Sequence, residues 1–145
     1  MGKPVTPLVA VDIIIEYRER IVLIERKNEP LGWAIPGGFV DEGESLEAAA
    51  MREALEETSL RVTLRDLLYV YGKPRRDPRG STVSVVYIAE GRGRLHAADD
   101  AKGAGLFSAD ILPDDLVFDH REILADYFTF LRTGQRPRPL KARPK

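Results

Sequence analysis

Apolar residues open the chain in short β-branched runs. Leu8 to Ile15 (LVAVDIII) carries a single charge, Asp12, and predicts a buried strand. Glu16 to Arg20 is polar and predicts a turn, and Ile21 to Arg26 resumes as a hairpin partner. Asn28, Pro30 and Gly32 mark a loop, after which Trp33 to Ile35 predicts a short strand. That strand runs into Pro36-Gly37-Gly38, a tight turn with exposed backbone. The period then changes. Ser45 to Thr58 reads as a helix, with Ser45 as N-cap and strong helix formers from Leu46 to Met51. Leu60 to Tyr71 is mostly strand, Gly72 to Ser81 a Pro/Gly/Arg loop, and Thr82 to Glu90 a β-branched strand. Gly91 to Lys102 is irregular and Gly105 to Ser108 a short strand. Asp119 to Arg132 predicts a second helix capped by Asp119, with Ile123, Leu124, Tyr127, Phe128 and Leu131 at helical spacing. Strands before and after single helices predict a mixed α/β or α+β layered domain over residues 1–132. Residues 133–145 are a basic, Pro-rich tail, expected to be solvated and mobile or to lie on the acidic body.

Composition narrows the chemistry. The chain has 145 residues, no cysteine and two histidines, His96 and His120. Thiolate metal sites, disulfides and a cysteine nucleophile are excluded, as is a three-histidine zinc site. Any metal is expected to be a hard ion held by oxygen. Six cations and no acid lie between Arg132 and Lys145, so the net charge of -1 leaves -7 on residues 1–131. An acidic body is not the footprint of a dedicated nucleic-acid binder. No apolar run is long enough to span a membrane and no signal peptide is visible, so a cytoplasmic location is expected.

On a helical wheel, Ala48, Met51, Ala54 and Leu55 share one arc, the expected core stripe. Glu53, Glu56 and Glu57 share another, which includes Ala49 and is flanked by Arg52. Like charges at these spacings repel by about 0.2–0.5 kcal/mol per pair. The late glutamates also oppose the helix dipole. Such a cluster is ordinarily a solvated face. The sharper reading is a divalent-metal site, with water and substrate phosphate completing the shell.

The wider stretch decides between them. Gly38-x5-Glu44-x7-Arg52-Glu53-Ala54-x-Glu56-Glu57-x-Ser59-Leu60 closely resembles the signature of the Nudix hydrolases. One position departs: Ser59 stands where that signature has glycine, which implies a different helix exit or a conformational cost. The resemblance implies an α/β/α sandwich with a mixed β-sheet. It implies Mg²⁺ or Mn²⁺ held by Glu53, Glu56, Glu57 and the carbonyl of Gly37, with Arg52 pairing Glu44 to brace them. It also implies hydrolysis of a nucleoside diphosphate linked to another moiety.

The loops point to a substrate. Lys73, Arg75, Arg76 and Arg79 face a single acid, Asp77, and Arg76 and Arg79 suit a phosphate clamp. The run from Arg76 to Thr82, the turn Asp99-Asp100-Ala101, and Phe118-Asp119-His120 resemble the short ADP-ribose pyrophosphatases. In that subgroup histidine is expected where Ser81 stands. The resemblance implies cleavage of ADP-ribose to AMP and ribose 5-phosphate, in a homodimer. Asp100 is a candidate base or further ligand, Asp99 and Gly38 are placed with the substrate, and Trp33 is the candidate to stack on adenine. Glu90 is a weaker carboxylate candidate, and His96 and His120 are expected to do no chemistry. Two alternatives stay open. One is a different nucleotide substrate: a nucleoside triphosphate, NADH or a nucleotide sugar. The other is a non-catalytic nucleotide sensor, disfavoured because the acids are intact and 145 residues leave no room for a second domain.

Overall fold

The structure, a computed structural model, describes residues 2–97 and 101–139. Its strands are β1 (Leu8–Tyr17), β2 (Arg20–Arg26), β3 (Gly32–Ala34), β4 (Gly37–Phe39), β5 (Arg61–Tyr71), β6 (Thr82–Arg92) and β7 (Ala101–Phe107). Helix α1 spans Leu46–Thr58 and α2 spans His120–Thr133. The strands form one mixed sheet in the order β3-β2-β1-β6-β5, with β4 added to β1 and β7 to β2. β1 and β6 run parallel from Leu8↔Thr82 to Glu16↔Glu90, and the other pairings are antiparallel.

The alternation along β1 creates the layers. Val11, Ile13, Ile15 and Tyr17 pack with Ala49, Ala50 and Ala54 of α1. Ile14 joins the opposite cluster, with Ile123, Leu124 and Tyr127 of α2. The sheet is therefore covered by a helix on each face, the α/β/α sandwich. No helix among the described residues is long and apolar enough to cross a membrane.

Several expected boundaries shift. β1 continues through Glu16 and Tyr17, because only Arg18 and Glu19 are needed for the turn. Both adopt positive φ (52° and 64°), as a two-residue hairpin turn requires. Gly37 and Gly38, expected within the turn Pro36-Gly37-Gly38, instead begin a strand that runs to Phe39 and pairs with Ala10–Asp12. β6 runs on to Arg92 and β7 begins at Ala101, inside the stretch expected to be irregular. Its glycines hide it from a β-propensity reading, and pairing with β2 makes it a strand.

The expected core stripe of α1 is corrected. Ala49, Ala50, Ala54 and Thr58 are buried, whereas Met51 and Leu55 are 45% and 41% exposed and Ala48 is exposed. Small residues let the helix axis approach the sheet closely, and the larger apolar residues are left outside. The buried face thus adjoins the glutamate arc instead of opposing it.

The tail is held at its start. The Arg136 guanidinium donates to the Leu67 carbonyl (2.8 Å) and to Asp66, and lies over Phe130. The Tyr69 hydroxyl donates to the Arg138 carbonyl.

Ser59 answers the one departure in the helix motif. It sits at the C-cap in the left-handed region (φ 65°, ψ 7°), and its N–H donates to Leu55 O at 2.9 Å. The exit is the left-handed one that glycine favours, made by a residue with a Cβ. Ser59→Gly is expected to raise unfolding free energy by about 0.5–1 kcal/mol in denaturant titrations.

Candidate active site

Helix α1 presents its acids beside the edge of β4. Ser45 caps the helix, its hydroxyl accepting the Ala48 N–H at 3.0 Å. One turn on, Arg52 organises four carbonyl or carboxylate groups. Its Nε and Nη2 donate to the two oxygens of Glu44 (2.7 and 2.9 Å), and Nη1 donates to Glu53 (2.9 Å) and Glu56 (3.4 Å). Nη2 also reaches the Phe39 carbonyl at 3.2 Å, tying the helix to β4. This bidentate pairing, with the Asp41 N–H, holds Glu44 down to about 2.

Glu57 is the deepest of the acids. Its Oε1 accepts the Gly37 N–H at 2.8 Å. Burial, and Glu53 and Asp12 nearby, push its pKa up to about 8. Glu53 is also raised by burial, against the pull of Arg52, and the two carboxylates hydrogen-bond one another. Glu56 points outward, with its side chain 58% exposed. The first two residues of β4 have no room for side chains. A Cβ on Gly38 would lie 2.5 Å from the Glu53 carboxylate, and one on Gly37 would lie 2.3 Å from Asp12 Oδ1.

Among the described residues, no three carboxylate or imidazole groups converge closely enough to cage an ion. The donor chemistry nevertheless fits a hard divalent cation. Two half-buried carboxylates crowd one another, and Arg52 reaches only Glu53 of the pair. An oxygen-seeking ion would offset that crowding, with Glu53, Glu57 and the Gly37 carbonyl as its donors and Glu56 at the margin.

A cavity of about 110 Å³ opens beside these groups. Glu57, Gly37 and Gly38 line one side, and Arg79, Phe39 and Phe118 another. Arg79 is held by buried Asp77 (2.8 and 3.1 Å), lies over the rings of Phe39 and Phe118, and keeps 44% of its side chain exposed. Arg26 approaches Phe118 as well, its centre 5.3 Å from the ring, and burial and then Arg79 lower its pKa. Phe118 adopts φ 56°, a strained conformation for an aromatic residue and one that recurs at binding sites.

Other candidates fall elsewhere. Arg76 lines the cavity, but its guanidinium is committed. It donates to both oxygens of Asp119 (2.6 and 2.9 Å) and to the Thr82 hydroxyl (3.0 Å), and only 5% of the side chain is exposed. It ties the β5–β6 loop to the start of α2, and Asp119 is occupied by Arg76 instead of capping the helix with its side chain. Trp33 packs edge-on to Phe107 with centroids 5.1 Å apart and does not line the cavity. Glu90 pairs with Arg65 at the surface, and His96 is exposed. Asp99 and Asp100 lie outside the described residues.

Three groups escaped the sequence reading. Asp12, His120 and Arg26 all line the cavity. A charge inside the apolar run Leu8–Ile15 was the available signal for Asp12. His120 stood in the run Phe118-Asp119-His120 and was expected to do no chemistry, and it reaches the cavity because the fold brings α2 onto Ile35.

Known proteins resemble this chain over most of its length. The NUDIX domain model matches residues 6–127. An ADP-ribose pyrophosphatase of Methanocaldococcus jannaschii is 50% identical over 124 residues, covering 83% of this chain and 73% of that protein. An ADPR responsive transcriptional repressor, NtrR, of Acinetobacter baylyi is 33% identical over 144 residues, covering 90% of this chain and 57% of its own length. The crystal structure of a MutT/nudix family protein from Enterococcus faecalis superposes with TM-score 0.80 at 32% identity, over 91% of this chain and 64% of that one. The chain thus spans less than two thirds of the last two.

Arg76→Ala would leave the half-buried Asp119 without this partner. It is expected to lower unfolding free energy by about 3 kcal/mol in denaturant titrations.

Proposed function

The chain belongs to the Nudix family of hydrolases, and from that premise we propose that it cleaves ADP-ribose-type diphosphates, ADP-ribose itself giving AMP and ribose 5-phosphate. The observation that carries this reading is the half-buried Glu53–Glu57 pair beside Gly37 and Gly38 of β4, braced by Arg52. The 50% identity to an ADP-ribose pyrophosphatase supports the substrate.

The reaction adds water across the diphosphate. A water oxygen bonds to one phosphorus, the bridging P–O bond breaks, and the bridging oxygen leaves with the other phosphate. Mg²⁺ or Mn²⁺, held by Glu53, Glu57 and Gly37 with Glu56, would neutralise charge building on the phosphate oxygens. The chain's own work is placement. Arg52 fixes Glu53 and Glu56 from one side and anchors to Glu44 and Phe39 O on the other. Glu57 grips the Gly37 N–H and so sets where the adjoining carbonyl lies. Arg79, across the cavity, offers an exposed guanidinium to a phosphate oxygen.

A second reading is favoured by the likeness to the ADPR responsive repressor: ADP-ribose bound as a signal without turnover. The intact glutamates and their brace support hydrolysis.

Glu57→Gln keeps an acceptor for the Gly37 N–H and removes one of two crowded carboxylates. Its kcat on ADP-ribose with Mg²⁺ is expected to fall by about a hundred- to a thousandfold. Stability should change by less than about 1 kcal/mol, since the repulsion with Glu53 goes too. Near-wild-type turnover would overturn the assignment, and ADP-ribose binding without turnover in the wild type would favour the sensor. Across ADP-ribose, NADH, a nucleotide sugar and a nucleoside triphosphate, kcat/KM should be highest for ADP-ribose.

A further inference from the structure

The cavity floor holds a donor and an acceptor that do not satisfy each other. His120 is 2% exposed, and its Nδ1 accepts the Ile35 N–H at 3.0 Å. Burial keeps the imidazole neutral, so its one proton sits on Nε2. That nitrogen lies 3.8 Å from Asp12 Oδ1, too far for a hydrogen bond. Asp12 spends its other oxygen, Oδ2, on the Ser84 hydroxyl. Asp12 and His120 both line the cavity.

A single oxygen placed about 2.8 Å from each group would bridge this gap. It must accept from His120 and donate to Asp12, and a hydroxyl does both through one atom. The cavity, about 110 Å³, has room for one sugar-sized group. An end group fills such a space without bringing neighbours along. Of the two ends of ADP-ribose, adenine has no hydroxyl and the terminal ribose has several. Glu57 lines the same cavity, so a sugar seated there keeps its attached phosphate beside the glutamates.

Resting on the reading of ADP-ribose as substrate, we propose that Asp12 and His120 form a hydroxyl-reading subsite that takes the terminal ribose and sets specificity for it. Ser84 and the Ile35 N–H are the positioning groups that aim the pair.

The test compares kcat/KM on ADP-ribose with analogues whose terminal sugar lacks the 2- or the 3-hydroxyl, and with IDP-ribose, altered only in the base. The wild type is expected to lose about tenfold or more on at least one deoxy analogue and less than about threefold on IDP-ribose. In Asp12→Asn, and in His120→Asn, whose amide oxygen replaces Nδ1 toward Ile35, the gap between ADP-ribose and that analogue should close to under about threefold. Thermal melts check that the variants fold, and the wild-type comparison stands if they do not. Equal turnover of all four compounds by the wild type would overturn the subsite. So would discrimination against IDP-ribose alone, which would give the cavity to adenine. If ADP-ribose is not turned over, the substrate reading fails on its own. Calorimetric binding of the same compounds then decides the subsite, with equal affinities overturning it.

Discussion

The close approach of the Gly37-Gly38 backbone to its neighbours is the constraint on which the site depends. β1 lies on one side of this segment and α1 on the other. A single Cβ at either glycine would collide with Asp12 or with Glu53. The pairing of β4 with Ala10–Asp12, the grip of Glu57 on the Gly37 N–H, and the burial of the acid cluster all require that contact. The alanines of α1 serve it as well, since a bulkier buried face would hold the helix and its glutamates away from this segment.

Closeness has an electrostatic cost, and the surrounding arginines show how it is met. Arg52 offsets Glu44 and part of Glu53, while Glu57, beyond its reach, is left crowded against Glu53 with its pKa raised. On the far side Arg76 and Asp119 neutralise one another almost completely out of water, which fixes the β5–β6 loop on α2. That tie spares Arg79 to face the cavity across Phe118. Paired charges thus build the frame, and incompletely compensated ones are gathered where a polyanion and a cation would meet.

The elements and the acid motif were legible in the sequence because each rests on local rules. Strand alternation from Leu8 to Ile15, the Ser45 cap and the spacing of Arg52, Glu53, Glu56 and Glu57 depend on neighbours within a turn or two. β7 was less legible, since its glycines carry no β signal and its pairing partner β2 is far away in sequence. The face of α1 was misread for a related reason. Hydrophobicity favoured Met51 and Leu55, but the sheet selects small residues where a helix must come close.

The sequence by itself determined the family, the two helices and the glutamates able to hold a hard ion, because a helix places residues three and four apart together whatever surrounds it. Only the tertiary structure decided which of those glutamates lies deepest, that Arg76 is a tie and not a free clamp, and that Trp33 packs against Phe107 away from the cavity. It alone set Asp12 against His120, more than a hundred residues apart along the chain. Contacts across such separations come from the parallel pairing of β1 with β6 and the docking of α2 on the sheet. No period in the sequence encodes them.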